Sequence, residues 1–173
     1  MTSEAVRRVR GDSPWEESFG SARAVAAGDR VLVAGTTAFK GDVLHGEGDP
    51  YEQARAAFGS ALEAIAEFGL GIDSVIRTRV YLAHVRDIDA AGRAHKELFE
   101  AVRPVTTLLV VEGFTDSRVL VAVEVEAFDA TGPARRHRDR PADTGAARPA
   151  PGPADGHRDQ SADSEQTLEE HDS

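Results

Sequence analysis

Alternating apolar and polar positions predict β-strands in the second half of the chain, because successive side chains of a strand point to opposite faces. The clearest strand is 119–128, where every odd-numbered position up to 125 is valine. Its even-numbered positions, which include Glu124 and Glu126, then share the opposite face. The same pattern predicts strands at 74–82 and 105–111. In the strand at 74–82 one face holds Ile76, Thr78, Val80 and Leu82, and the other holds Val75, Arg77, Arg79 and Tyr81.

A helix is predicted between Asp49 and Gly69. Asp49 can cap the free N–H groups, Pro50 suits the first helical position, and Glu52 completes a capping box. Glycine is the residue that most often ends a helix. Spacings of three and four residues place on one stripe Ala54, Phe58, Leu62, Ile65 and Phe68. Such a stripe needs a sheet to cover.

A second helix is predicted from Asp87 to Glu100, ahead of Pro104. Its inner face comprises Ile88, Ala91, His95, Leu98 and Phe99. A hairpin around Gly28 precedes both helices, and residues 43–48 are predicted to be a loop. This order predicts an α+β domain with both helices on one face of a mixed sheet. We expect the valines of the last strand on the uncovered face, which favours a homo-oligomer.

The composition of the chain changes at Gly132. From Pro133 to Ser173 the only large apolar residue is Leu168, and five of the eight prolines lie there. Such a segment cannot bury enough surface to offset the entropy of ordering it. We therefore expect a folded domain over 1–131 and a disordered tail rich in Pro, Ala, Asp and Arg over 132–173.

Charge and composition exclude several classes of function. The formal net charge is −10, which disfavours nucleic acid as a partner. Cysteine is absent, so disulfides and thiolate chemistry are excluded, and no histidine pair has metal-ligand spacing, so no metal is predicted. The N-terminal residues lack the apolar core of a signal peptide, and no apolar run approaches the length of about 18 residues that a membrane helix needs. We expect a cytoplasmic protein that does not contact membranes.

Glu124 and Glu126 are the first candidates for chemistry. Two positions apart on a strand, their carboxylates project from one face about 7 Å apart. Paired carboxylates can act as acid and base, or one of them can polarise a water molecule. The alternative is that both lie at a subunit boundary and pair with Arg77 or Arg79 of a neighbouring strand.

Arg103, Thr106 and Thr107 form a second candidate group at the entry of the strand at 105–111. An arginine can grip a carboxylate with two parallel hydrogen bonds, and nearby hydroxyl groups can hold its other oxygen. Threonine is also a common strand residue. His95 lies on the inner side of its helix, where we expect a buried, hydrogen-bonded ring without a catalytic role.

Residues 14–130 resemble the Rid family of reactive intermediate deaminases (RidA/YjgF). The resemblance is carried by the order and spacing of WEESFGSARAV, GDRVLVAGTTAFKG, DSVIRTRVYLAHVRDID, HKELFEAVRPVTT and VEVEAF. It implies a chorismate mutase-like fold and a homotrimer with a barrel-like core and clefts between subunits. It also implies hydrolysis of enamines and imines to a carbonyl compound and ammonia, without a cofactor.

The resemblance also implies roles for particular residues. In catalytic members an arginine of the penultimate strand clamps the substrate carboxylate, and a glutamate of the last strand positions the attacking water. Alignment on Pro104 places Thr106 at the position of that arginine. Alignment on VEVEA places Glu124 at the position of the glutamate, with Glu126 as the alternative. The implied cleft, which would bind a small carboxylate or imine, lies near Gly35, Thr36, Thr37, Arg103, Thr106, Thr107 and Glu124.

The absence of the clamping arginine leaves three functions open. The first is an imine or enamine deaminase in which Glu124 activates water while Thr106, Thr107 and nearby N–H groups hold the ligand. A separate hypothesis is that Arg103, three residues upstream, fills the space of the missing guanidinium. The second is a non-catalytic ligand-binding or regulatory trimer. The third is an enzyme of specialised metabolism with a different substrate.

Overall fold

The computed structural model describes residues 6–11 and 13–131, and the tail predicted at 132–173 lies outside them. Short 3-10 turns precede β6 and α3. Along the described chain the elements are β1 (Arg7–Val9), α1 (Pro14–Phe19), β2 (Ala24–Ala27), β3 (Arg30–Thr36), β4 (Phe39–Lys40), β5 (Val43–Leu44), α2 (Pro50–Ala66), β6 (Val75–Leu82), α3 (Ile88–Phe99), β7 (Val105–Val110) and β8 (Val121–Phe128).

Six strands form one mixed sheet in the order β1-β2-β3-β8-β6-β7. Neighbouring strands are antiparallel except β6 and β7, which are parallel because α3 crosses over between them. Helices α2 and α3 pack on the same face, where Phe58 meets Phe99 edge to face at 5.2 Å between ring centroids. The predicted α+β fold, with two main helices on one face of a mixed sheet, is confirmed.

Local sequence signals explain the boundaries of α2. The Asp49 carboxylate accepts hydrogen bonds from the N–H groups of Tyr51 at 2.9 Å and Glu52 at 3.2 Å, as an N-cap should. After the helix, Gly69 adopts a φ of 79°, which is strained for residues with a side chain. The predicted hairpin turn is also present, since Ala27 pairs with Arg30 on either side of it.

The expected position of the valines was wrong. Val121, Val123 and Val125 are at most 2% exposed because they lie beneath the helices, and Glu124 and Glu126 point to the uncovered face. The face that packs against two helices must be the more apolar one. The uncovered face of the sheet, called the open face below, therefore carries the charged residues of these strands together with some exposed apolar ones.

Two further expectations were wrong in detail. Residues 43–48 were predicted as a loop, but Val43 and Leu44 form a short strand that pairs with β4. At the start of β6 a register shift buries Val75 and leaves Ile76 39% exposed, the reverse of the predicted faces. Within residues 6–11 and 13–131, no helix combines the length and apolarity needed to cross a bilayer.

Candidate functional site on the open face

The open face holds a cluster of charged side chains where β6 lies beside β8. The register pairs Arg77 with Glu126 and Arg79 with Glu124. These four side chains and Leu32 of β3 line a shallow depression of about 230 Å³ that is open to solvent. Its volume is below the range of roughly 300 Å³ and more that is usual for drug-sized ligands, and it suits a small metabolite.

Glu124 is held through both of its carboxylate oxygens. Arg79 Nη1 donates to Oε2 at 2.7 Å, and the hydroxyl of Tyr81 donates to Oε1 at 3.0 Å. Burial, and next the hydrogen bond to Glu124, raise the pKa of Tyr81, so its hydroxyl keeps its proton at neutral pH. The Glu124 side chain is still 33% exposed, and the fixed carboxylate therefore faces the depression.

Glu126 is more enclosed, with a side chain only 10% exposed. Arg30 Nη1 of β3 donates to its Oε1 at 2.5 Å, and Arg77 Nη1 lies 3.4 Å from its Oε2. Both glutamates therefore pair with arginines of neighbouring strands, as the alternative interpretation of the sequence predicted, and their position at a subunit boundary stays a prediction. Glu124 keeps access to solvent, whereas Glu126 is mostly covered.

Thr106 faces the helices and lies on the opposite side of the sheet from Glu124. It pairs in register with the buried Thr78, and their hydroxyl oxygens are 2.9 Å apart. Nε2 of His95 lies 2.9 Å from the Thr78 hydroxyl and 3.2 Å from that of Thr106. Burial lowers the pKa of His95, which favours a neutral ring. The hydrogen bonding expected for His95 is confirmed, and its ring is partly buried.

Thr107 lies within β7, whereas Arg103 lies outside the strands. Thr107 pairs in register with Arg79 and therefore lies on the same face as Glu124. Arg103 precedes β7 with a φ of 53°, a left-handed conformation that is uncommon for a residue with a side chain. Its Nε donates to the carbonyl oxygen of Glu100 at 3.2 Å, which holds it near the end of α3.

The predicted group at Gly35, Thr36 and Thr37 lies at the end of β3, where the pairing with β8 shifts register. Thr36 is 1% exposed, and its hydroxyl donates to the carbonyl oxygen of Ala34 at 2.8 Å. Gly35 is exposed, and a Cβ added there would meet no atom within 4 Å. Thr37 is half-buried. Of the three, Gly35 and Thr37 are accessible in one protomer.

The structure thus places Glu124, Glu126 and Thr107 on the open face, and it places Thr106 on the opposite face. Sequence reasoning missed Tyr81 and Arg30 as partners of the two glutamates. Alternation did place Tyr81 on the face of Arg77 and Arg79, but only the strand order shows that this face adjoins Glu124. No group of three or more His, Asp or Glu side chains in the described part of the chain could hold a metal ion.

The chain is similar in sequence to a known protein family and to a protein of Streptomyces. The model of the family described as endoribonuclease L-PSP matches residues 17–129. The uncharacterized protein SCO2049 of Streptomyces coelicolor is 82% identical over 128 residues, which are 74% of this chain and 96% of that protein.

Solved structures agree with the family match. Rv2704 of Mycobacterium tuberculosis, a member of the YjgF/YER057c/UK114 family, is 31% identical with a TM-score of 0.63, over 72% of this chain and 99% of that one. TdcF of E. coli, solved with bound serine, has a TM-score of 0.59 at 18% identity, over 70% and 93% of the two chains, and shows the fold alone. The chain therefore belongs to the endoribonuclease L-PSP family, which is the YjgF/RidA family that its sequence resembles.

Proposed function

We propose that the protein binds a small imine or enamine at clefts between the subunits of a homotrimer and hydrolyses it to a carbonyl compound and ammonia. The observation that carries this proposal is the Glu124 carboxylate, fixed between Arg79 and Tyr81 beside an open depression. A carboxylate with a fixed orientation and partial exposure is suited to positioning a water molecule. Membership of the YjgF/RidA family supports the reaction class.

The chemistry needs one water molecule and no cofactor. Each carboxylate oxygen has two lone pairs, so Glu124 can accept a hydrogen bond from water while it keeps its bonds to Arg79 and Tyr81. The water oxygen adds to the imine carbon, and its proton passes by way of Glu124 to the nitrogen. The resulting carbinolamine expels ammonia and leaves a carbonyl group. An enamine enters the same sequence after a proton adds to its carbon.

Exposed apolar side chains support the proposed homotrimer. Leu32, Val105, Leu109 and Phe128 lie on the open face and are between 37% and 65% exposed. They share this face with the charged cluster, and exposed apolar side chains on a sheet face that no helix covers are suited to contact with other subunits. The cytoplasmic location expected from the sequence belongs to the same proposal.

Ammonia release from 2-aminoacrylate, generated in the cuvette, tests this function. The wild-type protein should accelerate release, and Glu124→Gln should lose most of the acceleration, because the amide is a poor proton acceptor. Glu63→Gln is the matched control, since Glu63 is a 68% exposed side chain on α2 that pairs with Lys40. Acceleration that survives in Glu124→Gln would contradict the assigned role.

A non-catalytic binding protein is the second candidate, and two observations favour it. Both oxygens of Glu124 already have hydrogen-bond partners, and the position of the family's clamping arginine holds the uncharged Thr106, which contacts His95. This candidate predicts binding of small carboxylates without any acceleration of ammonia release. The same assay on 2-aminoacrylate and on a branched imino acid separates the two.

A further inference from the structure

Arginines outnumber glutamates in the ion pairs at the depression on the open face, because Arg30 beside the depression shares Glu126 with Arg77. Three arginines, Arg30, Arg77 and Arg79, pair there with only two glutamates, Glu124 and Glu126. This local excess contrasts with the formal net charge of −10 for the whole chain. A shallow site with an unbalanced guanidinium is suited to the anionic end of a ligand.

Arg77 is the arginine with the least engaged side chain. Arg79 donates to Glu124 at 2.7 Å, and Arg30 donates to Glu126. Arg77 Nη1 stands 3.4 Å from Glu126, and its side chain makes no hydrogen bond to any residue that the structure describes. The Arg77 side chain is also 45% exposed. Its N–H donors are therefore available to a ligand in the depression.

The position of Arg77 relative to Glu124 fits a small 2-imino acid. The two residues are diagonal neighbours across β6 and β8, a separation of about 7 to 8 Å between Cα atoms. The carboxylate carbon of a 2-imino acid is bonded directly to the imine carbon. A carboxylate held by Arg77 therefore leaves the imine carbon facing Glu124, while Leu32, which is 50% exposed, can contact an apolar substituent.

The residues at the start of β7 are less suitable for this task. Thr106 is uncharged and faces the helices, and Arg103 contacts the end of α3 through Glu100. Thr106 does not share the open face with Glu124 in the same protomer, and Arg103 is not among the residues that line the depression. We infer that Arg77 binds the carboxylate of the ligand. This inference rests on the site of the proposed function, although not on its reaction.

Calorimetric titration of the full chain with pyruvate tests the inference. Pyruvate carries the required carboxylate and cannot be hydrolysed. Arg77→Gln should weaken pyruvate binding by at least about tenfold, the loss expected for a charge-assisted pair. Arg86→Gln is the matched control, because Arg86 is a 75% exposed side chain next to α3 that does not line the depression. The Arg86→Gln variant should bind pyruvate with the affinity of the wild type.

Arg77→Lys covers the case in which Arg77→Gln does not fold. It keeps the charge but loses the planar fork, and its affinity should lie clearly below that of the wild type. Equal affinity in the wild type and Arg77→Lys or Arg77→Gln would overturn the inference. So would a loss of binding in Arg103→Gln with none in the Arg77 variants, or a wild type that does not bind pyruvate.

The pyruvate-binding test of Arg77 can fail or succeed independently of the ammonia-release test of the proposed hydrolase. Pyruvate binding that depends on Arg77, together with no ammonia release from imines, would support the inference and contradict the hydrolase. Ammonia release with an unchanged KM in Arg77→Gln would support the hydrolase and overturn the inference.

Discussion

Glu124 and Glu126 differ in surroundings although they share a strand and a face. Glu124 has Tyr81 and Arg79 as partners and stays one-third exposed, whereas Glu126 lies between Arg30 and Arg77 with 10% exposure. Only a carboxylate that reaches solvent can position water for a ligand. This difference in exposure favours Glu124 as the reactive group. The alternating sequence pattern of the strand does not predict it.

Tyr81→Phe isolates the contribution of the hydroxyl that holds Glu124. The change removes one hydrogen bond of 3.0 Å and little volume. A hydrogen bond to a charged group is worth about 1.5 to 3 kcal/mol, so kcat for imine hydrolysis should fall by roughly 10-fold or more. Steady-state kinetics should show a smaller change in KM, since Tyr81 orients Glu124 and does not hold the ligand carboxylate. An unchanged kcat would contradict this orienting role.

His95 should make stability depend on pH. Burial lowers its pKa below the ordinary value of 6.5, so between the lowered pKa and 6.5 the unfolded chain binds a proton that the folded chain does not. The free energy of unfolding should therefore fall as pH decreases through that window. Urea denaturation at about pH 7.5 and about pH 5 should show a larger loss for the wild type than for His95→Gln. Equal losses would show that His95 does not titrate differently on folding.

Helix α2 is joined to the chain entering β8 through a buried amide. Gln53 is fully buried, donates to the carbonyl oxygen of Arg118 at 2.9 Å and accepts from the N–H of Leu120 at 2.8 Å. Gln53→Leu should leave both backbone groups unpaired and lower the free energy of unfolding by about 2 to 4 kcal/mol.

Urea denaturation measures that change. Glu63→Leu, an exposed substitution on the same helix, serves as the control and should alter stability by less than about 1 kcal/mol. A Gln53→Leu variant as stable as the wild type would mean that α2 does not depend on this contact.

Much of the fold could be predicted from local patterns because caps, glycines and periodicity act over a few residues. The cap at Asp49 and the valine alternation of β8 are examples, and both elements form close to their predicted bounds. The covered side of β8 was predicted wrongly, although the all-valine face is the more apolar of the two and therefore suits the helices. The site depends on strand order, and Tyr81 approaches Glu124 only because β6 lies beside β8.

We expect three copies of the whole molecule to assemble through their open faces. Light scattering should give about three times the monomer mass of 18.5 kDa. Leu109 is 46% exposed on that face, so Leu109→Asp should leave the protomer folded and lower the mass of the assembly. Val85, which is 68% exposed and precedes α3, provides the matched control in Val85→Asp. An assembly that is unchanged by Leu109→Asp would contradict contact through this part of the face.

The position of pyruvate in a crystal of the wild-type protein decides between the two faces of the sheet. We expect density in the depression on the open face, with the carboxylate within hydrogen-bond distance of the Arg77 guanidinium and the 2-carbon facing Glu124. Pyruvate beside Thr106 and His95, with the Glu124 depression empty, would contradict the proposed site.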